Sequence, residues 1–148
     1  KGVIVLCVLA VLCASEIQWR DYAGGMEEIL ETKKPGVVLI YRPTCPACRM
    51  LNGIFEKSPS VAALAKDFVM IRSVDGSESF QGAFEEVLFL LYNDCIDGAY
   101  VPRLFFISPQ GTPLMDVMAV DSHSRFKYYY FSEEQLIKKM QLVKAKYE

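Results

Sequence analysis

This chain has few of the residues that mark a specialised surface. Its 148 residues include one Trp (Trp19) and one His (His123), and 16 Lys and Arg stand against 18 Asp and Glu, for a net charge of −2. With no basic excess there is no electrostatic footprint for nucleic acid or an acidic membrane, and neither is expected as a partner. Cysteine is sparse too, at five, and Cys7 and Cys13 fall within an apolar N-terminal segment. If that segment leaves, Cys45, Cys48 and Cys95 remain. One pair plus one odd thiol excludes a disulfide-stapled scaffold and fits an oxidising compartment in which the pair does chemistry. No apolar run reaches the roughly 20 residues that span a bilayer. The longest, residues 3–14, gives way to Ser15 and Glu16 and predicts a signal peptide over residues 1–15, with a single domain over residues 16–148. No stable membrane insertion is expected after cleavage; an uncleaved anchor is the alternative. Repeats and low-complexity tracts are absent.

What is present is a pattern of alternating strands and helices. Residues 19–32 place Met26, Ile29 and Leu30 among Glu27, Glu28 and Glu31, a helical spacing interrupted early by Gly24 and Gly25. Lys33, Lys34 and Pro35 end it and lead into an apolar strand, residues 36–41. Cys48, Leu51 and Phe55 then fall on one helical face. Ser58 and Pro59 read as N-cap and first-turn proline of a short helix, residues 60–66. Residues 68–71 are a second strand. Residues 80–92, from Phe80 to Tyr92, predict a helical insert. Residues 104–107, a turn at 108–112 and residues 114–120 predict a hairpin. Ser132 to Gln135 form a capping-box start, and Leu136, Ile137, Met140 and Val143 give the last helix its apolar stripe.

The residues that carry chemistry are Cys45-Pro46-Ala47-Cys48, set where a strand passes into a helix, with Val101-Pro102 at the head of a later strand. That layout is a thiol–disulfide redox site. At a helix N-terminus the Cys45 thiolate meets unpaired backbone N–H groups, and Arg42 and Arg49 are near in sequence, so Cys45 is the expected nucleophile. Cys48, one turn in, is the expected resolving thiol. A zinc half-site is one alternative, but its further ligands would have to be Cys95 and His123, neither at ligand spacing, so no metal is expected. A purely structural disulfide is the other. Pro102 is a candidate cis proline facing the pair, with the Val101 backbone free to pair with a substrate strand; a trans proline opening a strand is the alternative. Tyr100 and Arg103 flank it and could touch substrate or glutathione, or be solvated loop residues. The aromatic run 126–131 reads as packing before the last helix rather than a base-stacking platform.

On these residues the chain resembles the small single-domain thioredoxin-like proteins of the endoplasmic reticulum, the group of thioredoxin domain-containing protein twelve and the anterior-gradient proteins. The likeness is carried by Trp19-Arg20, the strand before Cys45-Pro46-Ala47-Cys48, residues 68–70, residues 128–135 and above all residues 100–111. It covers residues 17–143. It implies a thioredoxin-like α/β fold, a central mixed sheet flanked by helices; the helical insert before the cis-proline strand, over residues 80–92, is longer than that pattern leads one to expect. It also implies a location in the endoplasmic reticulum lumen, and protein-disulfide reductase, oxidase or isomerase activity on cysteine-containing secretory clients. That activity would be coupled to glutathione as redox partner, with no bound cofactor. Cys45 and Cys48 take the redox pair and Pro102 the cis proline. The chain departs from the pattern at Pro46, where the catalytic member has Gly, and at Thr44, where thioredoxins have Trp. It departs again at Leu39, where ordinary thioredoxins bury a carboxylate. It keeps as Cys48 the second cysteine that the anterior-gradient branch lacks. No KDEL-like tail follows Lys146-Tyr147-Glu148, which leaves secretion beside lumenal retention. A low-turnover client-binding chaperone of the anterior-gradient type is the rival reading, and a periplasmic thioredoxin-like reductase a third.

Overall fold

The computed structural model describes residues 16–74, 100–120 and 124–148. The apolar segment 3–14, the insert expected over residues 80–92, Cys95 and His123 lie outside the described residues.

Strand β2 (Gly36–Tyr41) explains the architecture. Its residues are apolar without alternation, and Val37, Val38, Leu39 and Ile40 are all buried, which requires cover on both faces of the sheet. Val37 and Leu39 join Leu51, Phe55, Met70, Leu104, Phe106, Leu136 and Met140 on one face. Val38 and Ile40 join Ile29, Val69, Ile71, Phe105 and Ile107 on the other. Each set follows the two-residue period of a strand, and two cores therefore lie on either side of one sheet.

That sheet has the order β1-β3-β2-β4, with β1 at Trp19–Arg20, β3 at Val69–Val74 and β4 at Arg103–Ile107. β3 runs parallel to both β1 and β2, and β4 runs antiparallel to β2, opposing Gly36 to Ile107 and Ile40 to Arg103. The sheet is thus mixed and flanked by helices, as expected. Helix α1 (Tyr22–Thr32) packs on β2 and β3 through Ile29. Helices α2 (Pro46–Lys57), α3 (Pro59–Ala65) and α4 (Glu133–Tyr147) cover the opposite face. Ser58 both ends α2 and caps α3, its hydroxyl accepting from the Val61 N–H at 3.1 Å and donating to the Glu133 carboxylate at the start of α4.

Two expectations need correction. The helix expected from Trp19 begins at Tyr22, after the Asp21 N-cap, and runs through Gly24 and Gly25. Trp19 and Arg20 are a two-residue strand held by β3, too short to carry any period. Gly25 serves close approach, since a Cβ there would collide with Ile71. The hairpin strand over residues 114–120 is also reduced, to one bridge between Ile107 and Pro113 and one bond from the Leu114 N–H to the Phe106 carbonyl at 2.8 Å. Pro113 has no N–H for the ladder, and the Val117 N–H turns back to the Leu114 carbonyl at 3.1 Å. Further along, the β4 edge is taken by the aromatic run instead, the Leu104 N–H donating to the Tyr128 carbonyl at 2.9 Å. Tyr128 and Tyr130 sit in opposite cores, so the middle of this run is packed, while Phe126 and Phe131 at its ends are exposed.

Candidate redox site

Helix α2 starts at the cysteines because its first turn is supplied with caps. Cys45 is the N-cap, with extended backbone (φ −81, ψ 121), and Pro46 occupies the first turn where its missing N–H costs nothing. The Cys45 Sγ takes the role an oxygen has in an ordinary cap, accepting from the Cys48 N–H at 3.2 Å. The Arg49 N–H closes the first helical bond on the Cys45 carbonyl at 3.1 Å. One turn in, Cys48 is buried at 1% exposure, whereas Cys45 is half-buried. The Cys48 Sγ accepts from the Arg42 backbone N–H at 3.5 Å. Both thiols are free, so this is the reduced dithiol.

The two sulfurs are driven apart electrostatically. Burial raises the Cys45 thiol. The Cys48 thiol, the Cys48 and Ala47 N–H groups and the Arg42 charge outweigh that and hold it below the ordinary thiol value. Cys48 is pushed up to about 11, by burial first and then by its hydrogen bond to Cys45. The arrangement makes an accessible thiolate beside a protonated, shielded partner.

The Val101–Pro102 peptide bond is cis, and it lies at the pair, with the Cys45 thiol donating to the Val101 carbonyl at 3.7 Å. Pro102 is buried and Val101 half-exposed. Tyr100 is half-exposed and anchored, its hydroxyl accepting from the Tyr128 N–H at 3.0 Å. Arg103 is a buried strand residue opposite Ile40, at 5% exposure, and offers little surface to a substrate. Thr44 is exposed beside Cys45, and Leu39 is fully buried on β2 between Arg72 and Leu104. Among the described residues no group of three or more His, Cys, Asp or Glu side chains converges on a point that could hold a metal ion. Sequence reasoning did not place Phe126 here. Its ring meets Tyr100 edge-to-face at 5.0 Å, and its flanking Arg125 and Lys127, odd neighbours for a core aromatic, were the available signal.

A thioredoxin-like family model matches residues 18–109, and the chain belongs to that family. Among curated proteins it is 27% identical over 115 residues to anterior gradient protein 3 of Xenopus tropicalis, across 76% of this chain and 63% of that protein. It is 26% identical over 132 residues to anterior gradient protein 1 of the same frog, across 88% and 64%. These relatives bear out the resemblance to the anterior-gradient group, and the chain spans under two thirds of their length. Among solved structures a disulphide isomerase from Xylella fastidiosa Temecula1 superposes with a TM-score of 0.51 at 18% identity, across 82% of this chain and 86% of that one. That likeness establishes the thioredoxin-like fold. No helix among the described residues is long and apolar enough to cross a membrane.

Proposed function

We propose that this chain is a thiol–disulfide oxidoreductase acting on the cysteines of secretory-pathway client proteins. The observation that carries the reading is the asymmetric pair at the start of α2: a half-exposed Cys45 held low, a buried Cys48 held high, and the Val101 carbonyl against the Cys45 sulfur. In the reducing direction the Cys45 thiolate attacks one sulfur of a client disulfide. The client S–S bond breaks, a Cys45–client disulfide forms, and the other client sulfur leaves as a thiolate and takes up a proton. Cys48 then gives its proton to solvent and attacks the Cys45 sulfur, releasing the second client thiolate and leaving the Cys45–Cys48 disulfide. Two electrons have passed to the client. Two glutathione thiols would restore the dithiol, becoming glutathione disulfide, and the reverse sequence would oxidise clients. The chemistry calls for no metal or prosthetic group. Val101 and Tyr100 are the residues best placed to line a client segment beside Pro102. The apolar segment at residues 3–14 supports a lumenal or secreted location.

The test is the reduction potential of the pair, read by equilibrating the protein in graded glutathione buffers and trapping the thiols. A midpoint of about −160 to −220 mV suits oxidase or isomerase work against a lumenal poise of about −180 to −210 mV. A value near −270 mV or below suits a reductase, to order of magnitude about that of thioredoxin itself. A disulfide that stays closed throughout the series would overturn the proposal and leave the client-binding reading ahead. One observation favours client binding with little turnover: Leu39, fully buried, stands at the strand position where ordinary thioredoxins bury a carboxylate. Client capture that survives replacement of both cysteines would decide for that reading.

A further inference from the structure

Arg72 is the residue out of place in β3. It shares with Met70 the face of the sheet that α2 covers, because alternate residues of a strand point to one side. Fully buried Leu39 stands opposite it on β2. A cation in such a place ordinarily has a carboxylate beside it, since charge leaves water at a cost that pairing offsets. Half-buried Arg72 has rings instead. Its guanidinium carbon lies 4.4 Å from the centre of the Trp19 ring and 5.8 Å from that of Tyr41, which offers π faces to the charge but no oxygen to its N–H groups. The Nε is buried without a hydrogen-bond partner, and no carboxylate among the described residues pairs with the guanidinium. Native structures leave few such groups unsatisfied. Arg72 lines a cavity of about 270 Å³ beside the last turn of α2, at the end of that helix away from the thiols. Trp19 and Phe55, whose rings meet edge to face at 5.1 Å, give the cavity its apolar wall. Exposed Lys57, Glu16 and Glu56 line it too. No two of these four charged side chains form an ion pair, so two cations and two anions share one cavity without neutralising each other.

We propose that this cavity is a binding site for a small zwitterion, a free α-amino acid with an apolar side chain. The ligand carboxylate pairs with Arg72, whose planar fork suits it, and with Lys57. The ammonium group faces Glu16 and Glu56, and the side chain lies against Trp19 and Phe55. The balance of the lining decides between ligand classes, because a simple anion or a simple cation meets two like charges there and a zwitterion meets a partner for each end. Size decides too. The volume falls just below the roughly 300–1,000 Å³ of pockets for drug-sized ligands, which fits one amino acid better than a peptide segment. Neither Cys45 nor Cys48 lines the cavity, so the inference stands apart from the reading of the redox pair.

The probe is free L-phenylalanine, titrated into the protein by calorimetry beside three analogues. Phenylalanine amide lacks the carboxylate, N-acetylphenylalanine lacks the ammonium group, and glycine lacks the ring. Phenylalanine is expected to bind saturably and each analogue at least about tenfold more weakly. Trp19 is the one Trp of the chain, so its emission should change with the same midpoint as the heat. Arg72→Gln should weaken phenylalanine by about tenfold and leave the amide as it was. Lys57→Gln, at an exposed position where folding is not at stake, should weaken phenylalanine several-fold. Should Arg72→Gln fail to fold, the analogue series on the wild-type protein and Lys57→Gln decide the matter. The absence of saturable phenylalanine binding up to about 10 mM overturns the inference. So does an analogue that binds as tightly as phenylalanine, or heat that saturates while Trp19 emission stays constant.

Discussion

The cap of helix α2 and its first turn present the same thiol in two settings. Cys45, at the cap, faces solvent on one side and the unpaired N–H groups of the turn on the other, and it is stabilised as a thiolate. Cys48, three residues on, has lost the solvent, receives a single backbone N–H from Arg42, and is held as a thiol with its value pushed up to about 11. Nothing in the side chains distinguishes them. Depth along the helix assigns the roles, because burial penalises the charged form and the helix start rewards it.

The harshest way to break this contrast is to remove the first sulfur. Cys45→Ser should lower disulfide exchange by at least about a thousandfold, since the protonated, buried Cys48 cannot substitute as nucleophile. A Cys45→Ser protein that still turned over disulfide peptides would show that the two settings are not different in kind. Cys48→Ser tests the other side. The first attack should persist and Cys45–client disulfides should accumulate on non-reducing gels, because no internal thiol remains to release them. Rapid release from this variant would mean that Cys48 does not resolve.

pH sharpens the comparison. A lowered value shifts Cys45 ionisation to lower pH than that of an ordinary thiol, so its alkylation by iodoacetamide should rise at lower pH than that of a free thiol. A raised value keeps Cys48 protonated, so its alkylation should stay slow and climb only as pH approaches about 11. Coincident profiles for the two thiols would erase the distinction. Stability follows the same sign. Cys48 holds its proton more tightly folded than unfolded, so its contribution is complete below the ordinary thiol value and is lost as pH rises toward about 11. The smallest effect is expected for Arg42→Gln, which removes a charge but keeps the backbone N–H on Cys48. The charge is the last of the influences holding Cys45 low and its side chain is exposed. Cys45 alkylation below the midpoint of its own pH profile should slow by about twofold, and the difference should vanish in salt.

Much of this fold is legible in local signals. The run at residues 36–41 reads as an apolar strand, and it is one, with Val37 to Ile40 buried on both faces of the sheet. Cys45 followed by Pro46 marks a helix start, as do Ser58 followed by Pro59 and the capping box at Ser132, and all three helices begin there. Each depends on neighbours within a turn. The misses depend on distant partners. Trp19 and Arg20 form a strand only because Met70 and Ile71 lie alongside. Residues 114–120 have strand-like composition, but Pro113 and the competing Tyr128 carbonyl deny them the β4 edge. Arg103 reads as a residue flanking Pro102 that meets substrate, glutathione or solvent, but the pairing of β4 with β2 buries it.

The amino-acid sequence by itself determined the family, the strands at residues 36–41, 68–71 and 104–107, the helices that follow Cys45, Ser58 and Ser132, and the two cysteines at a helix start, since capping, proline placement and apolar period act over a few residues. Only the tertiary structure decided what surrounds those cysteines. The Val101 carbonyl reaches Cys45 across 56 positions, and Tyr100 reaches Tyr128 across 28. Contacts of that span form only once the sheet has aligned its strands, because the entropy of closing such loops is repaid by packing and not by any local preference.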